Sequence, residues 1–325
     1  MNSQSRPLIL INNQAARAHI AWPRIKEALT QHKVRFDFRE TMRPGDAEAW
    51  TRAALQSGCG TIAIVGGDGT LSEAASGFFE MKAGNSKSPQ PINSAAALAI
   101  LPAGTGDDFA RGLVGGRAPL ETWLELFVVH CRNAEQTRTR TVDMLHGRIG
   151  DGAQSFICLN AATLGIGAEV AGRVAAQGSF MRLLSGEARF ALAALGALAQ
   201  WRERRVSVQV DEGERIECQS NLIAVVNGLY AGGGMMFAPA ARVDDGCLDV
   251  MTTCGVGRAM VLRELPRIHS GGHLANPKVR VMRGTSVRIE ALSRKDALAV
   301  EADGDVRGCT PVEFRVIPSA LRIVV

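Results

Sequence analysis

The chain has 325 residues, of which 46% are hydrophobic and 21% are charged, and its formal net charge is +5. This composition excludes a disordered or fibrous chain and is typical of a globular protein long enough for two domains. The mild positive charge, without a basic tract interleaved with aromatic residues, argues against a nucleic-acid partner. It suits a protein that handles polyphosphate or contacts an anionic membrane surface, although scattered solvated arginines explain it equally well.

The cysteines, the first residues and the apolar runs further limit the possible classes of protein. The chain has 7 scattered cysteines with no C-x-x-C pair, so neither a disulfide framework nor a zinc site is indicated. The first residues lack the basic region and long apolar run of a signal peptide. The longest apolar run, residues 190–201, is too short to span a bilayer. We therefore expect a cytoplasmic protein.

The first part of the chain alternates strand and helix patterns. Strands are predicted at residues 7–12, 33–40, 61–65 and 95–102. Helices are predicted at residues 21–32, 45–58, 70–81 and 119–131. Such alternation implies a parallel sheet covered on both faces. We expect a doubly wound α/β domain over residues 1–135.

The pattern changes near Arg138. From there, glycine turns separate strand-like runs, and two helical patterns interrupt them at residues 180–201 and 258–269. This organisation predicts a second, mainly antiparallel and β-sandwich-like domain over residues 136–325. Its last few residues, 320–325, form a strand pattern that could return to either domain.

A glycine-rich turn, GGDGT at residues 66–70, joins the third predicted strand to the helix that follows. Glycines allow close backbone approach, and the start of a helix adds free N–H groups and partial positive charge, which together make an anion site. A carboxylate suits such a site when a divalent cation lies between it and the phosphates, so Asp68 indicates a bound metal. The alternative is an ordinary turn in which Asp68 acts as a local cap.

A second turn of the same kind, GTGDDFAR at residues 104–111, follows the next buried strand and again combines glycines with Thr105, Asp107 and Asp108. In adjacent parallel strands, both turns would line one cleft beyond the carboxyl ends of the strands. The chain has neither the P-loop pattern nor the G-x-G-x-x-G fingerprint. The pair of turns predicts a site for the phosphates of a nucleotide and its metal.

Four segments together resemble the diacylglycerol kinase catalytic-domain family, which includes bacterial soluble lipid kinases, sphingosine kinases and ceramide kinases. They are GGDGT at 66–70, GTGDDFAR at 104–111, NGLYAGGGMMFAPAARVDDGCLDV at 227–250 and DGD at 303–305. The resemblance covers almost the whole chain in the same order, and the last two segments separate it from NAD kinases and phosphofructokinases. It implies that ATP binds between the two domains and that its γ-phosphoryl group passes to a lipid hydroxyl with Mg²⁺.

The resemblance also implies roles for individual residues. The nucleotide-binding residues would be Asn12, Thr41, Gly66, Gly67, Asp68, Gly69, Thr70, Leu71, Ser72, Glu73, Gly104, Thr105 and Asp107. A structural magnesium site would use the side chain of Asp245 and the carbonyl groups of Arg242 and Cys247. A plain hairpin turn is the alternative interpretation of residues 244–246.

Two positions depart from the family pattern. The family's Asp-Gly-Glu, which supplies the general base, stands here as Asp303-Gly304-Asp305, and aspartate is one methylene shorter than glutamate. The catalytic residues would be Asp305 or Asp303 as the base, with Asp68 holding magnesium. Asp107 replaces the usual asparagine, and its added negative charge needs a metal or Arg111 to offset it.

A lipid substrate implies that the enzyme associates with a membrane. The apolar helix pattern of residues 179–205 carries Arg182 and Arg189 and could lie on anionic lipid, or it could be a core helix with a solvated basic end. We expect a cytoplasmic, peripherally membrane-associated kinase, with the lipid and the oligomeric state, including a homodimer, left open. Two alternatives stay open. One is a kinase of a soluble hydroxyl substrate, and the other, suggested by Asp107 and Asp305, is a nucleotide- or lipid-binding protein without catalysis.

Overall fold

The computed structural model describes residues 6–81, 88–133, 138–177 and 186–325. They divide into two units, each with its own core. The first unit holds the described residues up to Met144 together with Ile317–Val325, and the second holds Leu145–Val316. Arg182, part of the predicted membrane-facing helix, lies outside the described residues.

The first unit alternates strands and helices along most of its length. Its elements in chain order are β1 Leu8–Asn12, α1 Ala16–Gln31, β2 Asp37–Thr41, α2 Asp46–Gln56, β3 Thr61–Gly66, α3 Asp68–Ser76, β4 Phe79–Glu80, β5 Gln90–Pro91, β6 Ala97–Pro102, α4 Asp108–Val114, α5 Leu120–Arg132 and β7 Thr139–Ile149, the last of which ends in the second unit.

The second unit is mostly strands. Its elements in chain order are β8 Gln154–Cys158, β9 Ala161–Gly165, α6 Ile166–Ala175, α7 Gly186–Gln200, β10 Arg204–Val210, β11 Ile216–Ser220, β12 Leu222–Val226, β13 Leu248–Thr253, α8 Arg258–Ile268, β14 Val279–Gly284, β15 Ser286–Ala291, β16 Ala299–Ala302, β17 Asp305–Cys309 and β18 Val312–Val324, the last of which ends in the first unit.

The sheet of the first unit is parallel. Its strands lie in the order β6, β3, β1 and β2, with the end of β18 parallel to the outer side of β6. Strands β1, β3 and β6 are buried along almost their whole length, which requires cover on both faces of the sheet. These observations confirm the predicted α/β class and the parallel sheet.

The second unit is built from antiparallel strands. Six of them form one sheet in the order β14, β13, β12, β9, β16 and β17. Strands β11, β10, β15 and the first part of β18 form antiparallel neighbours in another sheet. One apolar cluster takes residues from both sets of strands, including Val208, Val225 and Phe314, as in a sandwich. The predicted sandwich-like second domain is confirmed.

Three differences from the predicted elements have local causes. Helix α1 begins at Ala16, ahead of the predicted start. Its first turns have no apolar periodicity to predict them, because Ala18 is the only buried residue there. Helix α4 has only seven residues and begins inside the second glycine motif, so it lacks a periodic pattern of its own. Helix α6 contains Gly167 and Gly172, which lower helix propensity. No helix among the described residues is long and apolar enough to cross a membrane.

Candidate functional site

The two glycine-rich bends of the first unit touch each other. Strands β3 and β6 are neighbours, with Gly66 paired to Pro102 at their carboxyl ends. A Cβ atom on Gly104 would lie 2.6 Å from the Cα of Gly67, and one on Gly67 would lie 3.0 Å from the Cα of Gly104. Real Cβ atoms essentially never come closer than 3.0 Å to another heavy atom, so this approach of the two backbones requires glycine at position 104. The structure thus brings together the two bends at one edge of the sheet.

Asp68 links the first bend to the second. Its carboxylate oxygens accept hydrogen bonds from the backbone N–H groups of Asp108 and Phe109, each at 3.1 Å. These residues begin α4, which has no side-chain cap of its own, so Asp68 acts as the cap from the neighbouring bend. Burial, followed by the nearby negative charges of Asp108 and Asp107, raises the pKa of Asp68 to about 6 despite these two hydrogen bonds.

Asp107 closes the second bend on itself. Its backbone lies in the left-handed region at φ 49°, which asparagine and aspartate adopt more readily than other side chains. Its Oδ1 atom accepts the N–H of Gly104 at 2.9 Å, a contact that an asparagine oxygen could also make. The exchange of asparagine for aspartate therefore leaves the shape of the bend intact.

Two arginines compensate the charge of Asp107. Arg17 of α1 donates to the carbonyl of Gly104 and Arg117 donates to the carbonyl of Thr105, both at 2.9 Å. Burial raises the pKa of Asp107, and the positive charges of Arg117 and Arg17 oppose that rise. Sequence reasoning missed both arginines because they lie outside the motif.

Arg111 compensates a different carboxylate from the one expected. Its Nη1 atom lies 3.1 Å from Oδ1 of Asp108, which is buried at the start of α4. Both residues lie in α4, three positions apart, where helix geometry favours their contact over one with the preceding residue. Of the two offsets expected for Asp107, a metal or Arg111, the structure pairs Arg111 with Asp108, and the cations that act on Asp107 are Arg117 and Arg17.

Several other predicted nucleotide-binding residues bond to protein. Asn12 at the end of β1 donates to the hydroxyl of Thr70 at 2.8 Å, which orients Thr70 in the first turn of α3. Thr41 is buried and its hydroxyl lies 3.4 Å from the carbonyl of Ile11. Glu73 accepts the N–H of Gly45 at 3.0 Å.

The start of α3 has the properties of a phosphate site. The N-cap residue of this nine-residue helix, Gly67, has no side chain that could cap it. A Cβ atom on Gly69, in its first turn, would meet no other atom within 4 Å, so the space beside that turn is open. Leu71 and Ser72 are buried, and the N–H of Leu71 donates to the carbonyl of Gly67 at 3.1 Å, so a ligand would meet residues 68–70 first. Unsatisfied N–H groups, partial positive charge and open space together fit a phosphate.

The carboxylates of the two bends suit a magnesium ion that arrives with phosphates. Within the described residues, no group of three or more His, Cys, Asp or Glu side chains is placed to hold a metal ion by itself. Magnesium is usually held by one or two carboxylates together with phosphate oxygens and water. Asp68, Asp107 and Asp108 concentrate negative charge here, and their repulsion helps to raise the pKa of Asp68, so a cation would relieve it.

In the second unit, Asp303 is fully engaged with the backbone. Its carboxylate accepts the N–H groups of Leu159, Asn160 and Ala161 at 2.6, 3.0 and 3.1 Å. Its own N–H group donates to the carbonyl of Ala161 at 2.9 Å. Asp303 therefore fixes the turn between β8 and β9, in addition to any role at the DGD turn.

The side chain of Asp305 is exposed, unlike that of Asp303. Its side chain is 64% exposed, and its Oδ2 atom lies 3.3 Å from Nη2 of Arg307. An exposed ion pair of this kind is weak and easily exchanged for another partner. Of the two acids predicted as the base, Asp305 is the one whose carboxylate is accessible.

A buried carboxyl group that sequence reasoning missed supports the DGD turn. Glu301 in β16 accepts the hydroxyl of Thr163 and the N–H of Gly304, both at 2.5 Å. Burial raises the pKa of Glu301 to about 7, against the lowering effect of these hydrogen bonds. The available sequence signal was an acidic residue within a strand pattern two positions before the motif.

The predicted structural metal site has a counter-charge of its own. Oδ1 of Asp245 accepts the N–H of Cys247 at 3.1 Å, and Oδ2 accepts a hydrogen bond from Arg283. Arg242 lies 3.6 Å from the carboxylate of Asp244. These contacts are those of a turn neutralised by arginine, and they do not fit a cation at Asp245 while Arg283 is paired there. The metal role of Asp245 stays a prediction.

Comparisons with known proteins agree with this architecture. Residues 6–146 match the family described as "Diacylglycerol kinase catalytic domain", and residues 162–325 match the "YegS C-terminal NAD kinase beta sandwich-like domain". The chain belongs to the diacylglycerol kinase catalytic-domain family, and it carries the YegS type of C-terminal domain. The predicted family and the predicted class of enzyme, a lipid kinase, are confirmed at this level.

Particular relatives span most of the chain. A Pseudomonas aeruginosa protein named "Probable lipid kinase YegS-like" is 32% identical over 296 residues, covering 88% of this chain and 83% of the relative. The "Diacylglycerol kinase" of Mycobacterium tuberculosis is 29% identical over 280 residues, covering 86% of this chain and 81% of the relative. The crystal structure of a diacylglycerol kinase from Bacillus anthracis has the same fold, with a TM-score of 0.67 at 18% identity, covering 100% and 98% of the two chains.

Proposed function

We propose that this protein transfers the γ-phosphoryl group of ATP to the hydroxyl group of a lipid, using Mg²⁺. The observation that carries the proposal is the contact between the two acidic glycine-rich bends beside the uncapped start of α3. This arrangement offers backbone N–H groups to phosphate oxygens and carboxylates to a cation at the same sheet edge. Such positioning and charge stabilisation supply most of the catalysis in phosphoryl transfer.

The residues of the first unit would hold the nucleotide. The backbone of residues 66–70 would donate to phosphate oxygens, and Thr70, oriented by Asn12, would present its hydroxyl to the same group. Asp68 would contact magnesium through water, because its oxygens already accept two backbone hydrogen bonds. Magnesium would neutralise charge on the phosphates, while Arg17 and Arg117 hold the second bend in shape.

The residues of the second unit would activate the acceptor. We propose that Asp305 accepts the proton of the lipid hydroxyl, because its carboxylate is exposed and weakly paired. Asp303 would position the turn through its three backbone hydrogen bonds. Asp305→Ala should lower kcat by about 100-fold, in line with the usual contribution of a general base. Asp305→Glu should keep or raise the rate.

A lipid-panel assay tests the proposal. The purified protein is incubated with labelled ATP, Mg²⁺ and separate dispersions of diacylglycerol, a sphingoid base, ceramide and phosphatidylglycerol. Label in the organic phase, in a product identified by its mass, supports a lipid kinase and names the lipid. Label in a water-soluble product would favour a soluble substrate, and nucleotide binding without transfer would favour a protein that has lost catalysis.

The metal assignment has its own test. Asp68→Asn keeps the size of the side chain and one acceptor oxygen, so circular dichroism should show an intact fold. The magnesium concentration for half-maximal activity should rise about 10-fold or more, since a negative charge near the ion is lost. Turnover and magnesium dependence equal to those of the wild type would contradict the role of Asp68.

We also propose that the protein works at an anionic membrane surface. The support is α7, in which Leu192 and Leu195 are 50% and 57% exposed at positions three apart, so one side of the helix presents apolar groups. Co-sedimentation with phosphatidylglycerol vesicles should exceed that with phosphatidylcholine vesicles. The double variant Leu192→Gln/Leu195→Gln should lose most of this binding while its ATP affinity stays unchanged.

A further inference from the structure

Two cysteines of the second unit lie in contact, away from every residue assigned above. Cys218 belongs to β11, and Cys254 directly follows β13, in the other sheet of the unit. The two side chains are neighbours, because each thiol alters the pKa of the other. The backbones run alongside each other, since the N–H of Gly255 donates to the carbonyl of Gln219 at 2.7 Å. Both cysteines are unpaired and only partly buried, so small reagents can reach them.

The surroundings make the two sulfur atoms unequal. The neighbouring Cys218 thiol lowers the pKa of Cys254 to about 7, and Cys254 in turn raises the pKa of Cys218. Arg280 in β14 lies opposite Thr252 of β13, and its positive charge also lowers the pKa of Cys254. Lys278 contacts the residue that follows Cys254, with Nζ 2.6 Å from the carbonyl of Gly255. Cys254 is thus the more acidic of the two thiols and the better nucleophile, and Cys218 lies beside it.

We propose that Cys218 and Cys254 form a redox-active pair that hydrogen peroxide converts into a disulfide bond. The thiolate of Cys254 attacks one oxygen of the peroxide, the O–O bond breaks, and the departing hydroxide takes a proton to become water. The resulting sulfenic acid is attacked by the sulfur of Cys218, which gives up its proton, and a second water leaves. Two thiols are oxidised and one peroxide is reduced to two waters.

The disulfide would connect the two sheets of the second unit. It would tie β11 to the end of β13 and enclose β12 and β13 in a covalent loop. Closing such a loop restricts the unfolded chain and raises stability. The melting temperature of the second unit should rise by about 5 °C on oxidation and return to its starting value on reduction with dithiothreitol.

Peptide mapping of the full-length protein tests the pair directly. The protein is treated with hydrogen peroxide, its remaining thiols are alkylated, and it is digested with trypsin and an enzyme that cleaves before aspartate. Cleavage before Asp249 separates Cys254 from Cys247, which otherwise share one tryptic peptide. A peptide linked through Cys218 and Cys254, lighter by two hydrogens, is the expected product. Linkage through another cysteine, or sulfinic acid at Cys254 without linkage, would overturn the proposal.

Matched variants separate a disulfide from general oxidation. In Cys218→Ser, Cys254 should accumulate as sulfenic acid, captured by dimedone, and peroxide should no longer raise the melting temperature. Cys309→Ser removes an exposed cysteine of β17 and should leave both the linkage and the shift unchanged. A peroxide-induced shift in Cys218→Ser equal to that of the wild type would refute the pair. Alkylation of Cys254 should rise through pH 7, which measures its thiolate character without any variant.

Discussion

The paired bends of the first unit and the DGD turn of the second unit use aspartate in closely related ways. Asp68 bridges two bends by accepting two backbone N–H groups, and Asp303 fixes a distant turn by accepting three. The difference lies in the neighbouring acids. In the first unit, Asp107 and Asp108 are also paired within the site, whereas in the second unit Asp305 is exposed.

This difference separates two kinds of site. The bends of the first unit form a preorganised cradle whose carboxylates hold its shape and whose backbone remains available to a ligand. The DGD turn combines one acid that holds shape with one acid that is accessible to a substrate. An aspartate in a glycine-rich motif can therefore serve the backbone, the chemistry or both, and only its hydrogen bonds distinguish these roles.

The largest expected effect is on Asp303. Asp303→Ala leaves three backbone N–H groups without their acceptor, which should lower the free energy of unfolding by about 4 kcal/mol. Urea unfolding measures this change. The matched control, Asp305→Ala, should alter stability by no more than about 0.5 kcal/mol because its side chain is exposed. Equal stability losses in both variants would erase the proposed distinction.

Gly104→Ala tests the contact between the bends. The added Cβ would lie 2.6 Å from the Cα of Gly67, a backbone atom that cannot move without displacing β3 or α3. We expect a loss of about 3 kcal/mol in unfolding free energy, together with loss of ATP binding. Gly69→Ala, whose Cβ would enter open space, is the control for stability. A Gly104→Ala protein that binds ATP normally would show that the bends do not need this approach.

The ionisation of Glu301, which supports the DGD turn, predicts that the stability of the protein depends on pH. Its pKa is about 7 in the folded protein, against 4.5 for an unperturbed glutamate side chain, so its contribution to stability is complete below pH 4.5 and is lost as the pH rises through 7. Between pH 5 and pH 7 this loss is on the order of 2 kcal/mol.

Glu301→Gln, which cannot ionise, provides the matched measurement. The difference in unfolding free energy between wild type and variant should change by about 2 kcal/mol between pH 5 and pH 7, with the variant gaining at the higher pH. Taking this difference cancels the other titrating groups. A pH-independent difference would mean that Glu301 is already ionised throughout this range.

The smallest effect is expected at Asp107. Asp107→Asn keeps the acceptor for Gly104 and a residue that tolerates positive φ, so stability should change by less than about 1 kcal/mol. Removing one negative charge beside the phosphates should leave ATP affinity unchanged or raise it, as measured by titration calorimetry. A marked loss of affinity would mean that the Asp107 charge itself contributes to binding.

Much of the fold follows from local patterns. Runs such as those of β1, β3 and β6 are apolar throughout, and parallel strands buried on both faces have that signature. Helices α4 and α6 were missed because one is short and the other contains glycines. Arg17 and Glu301 were missed from the site because their partners Gly104 and Thr163 are 87 and 138 positions away in sequence. Arg117 was missed because it lies outside the motif whose Thr105 carbonyl it contacts.

The sequence by itself determined the class of fold and which short segments belong to the site, because periodicity and glycine placement are local properties. Only the tertiary structure decided what each carboxylate does. A carboxylate's role depends on which N–H groups and charges reach it, and for Asp68, Asp303 and Glu301 those groups come from segments remote in sequence. The same holds for the thiol pair of Cys218 and Cys254, which meet only because two sheets bring their strands together.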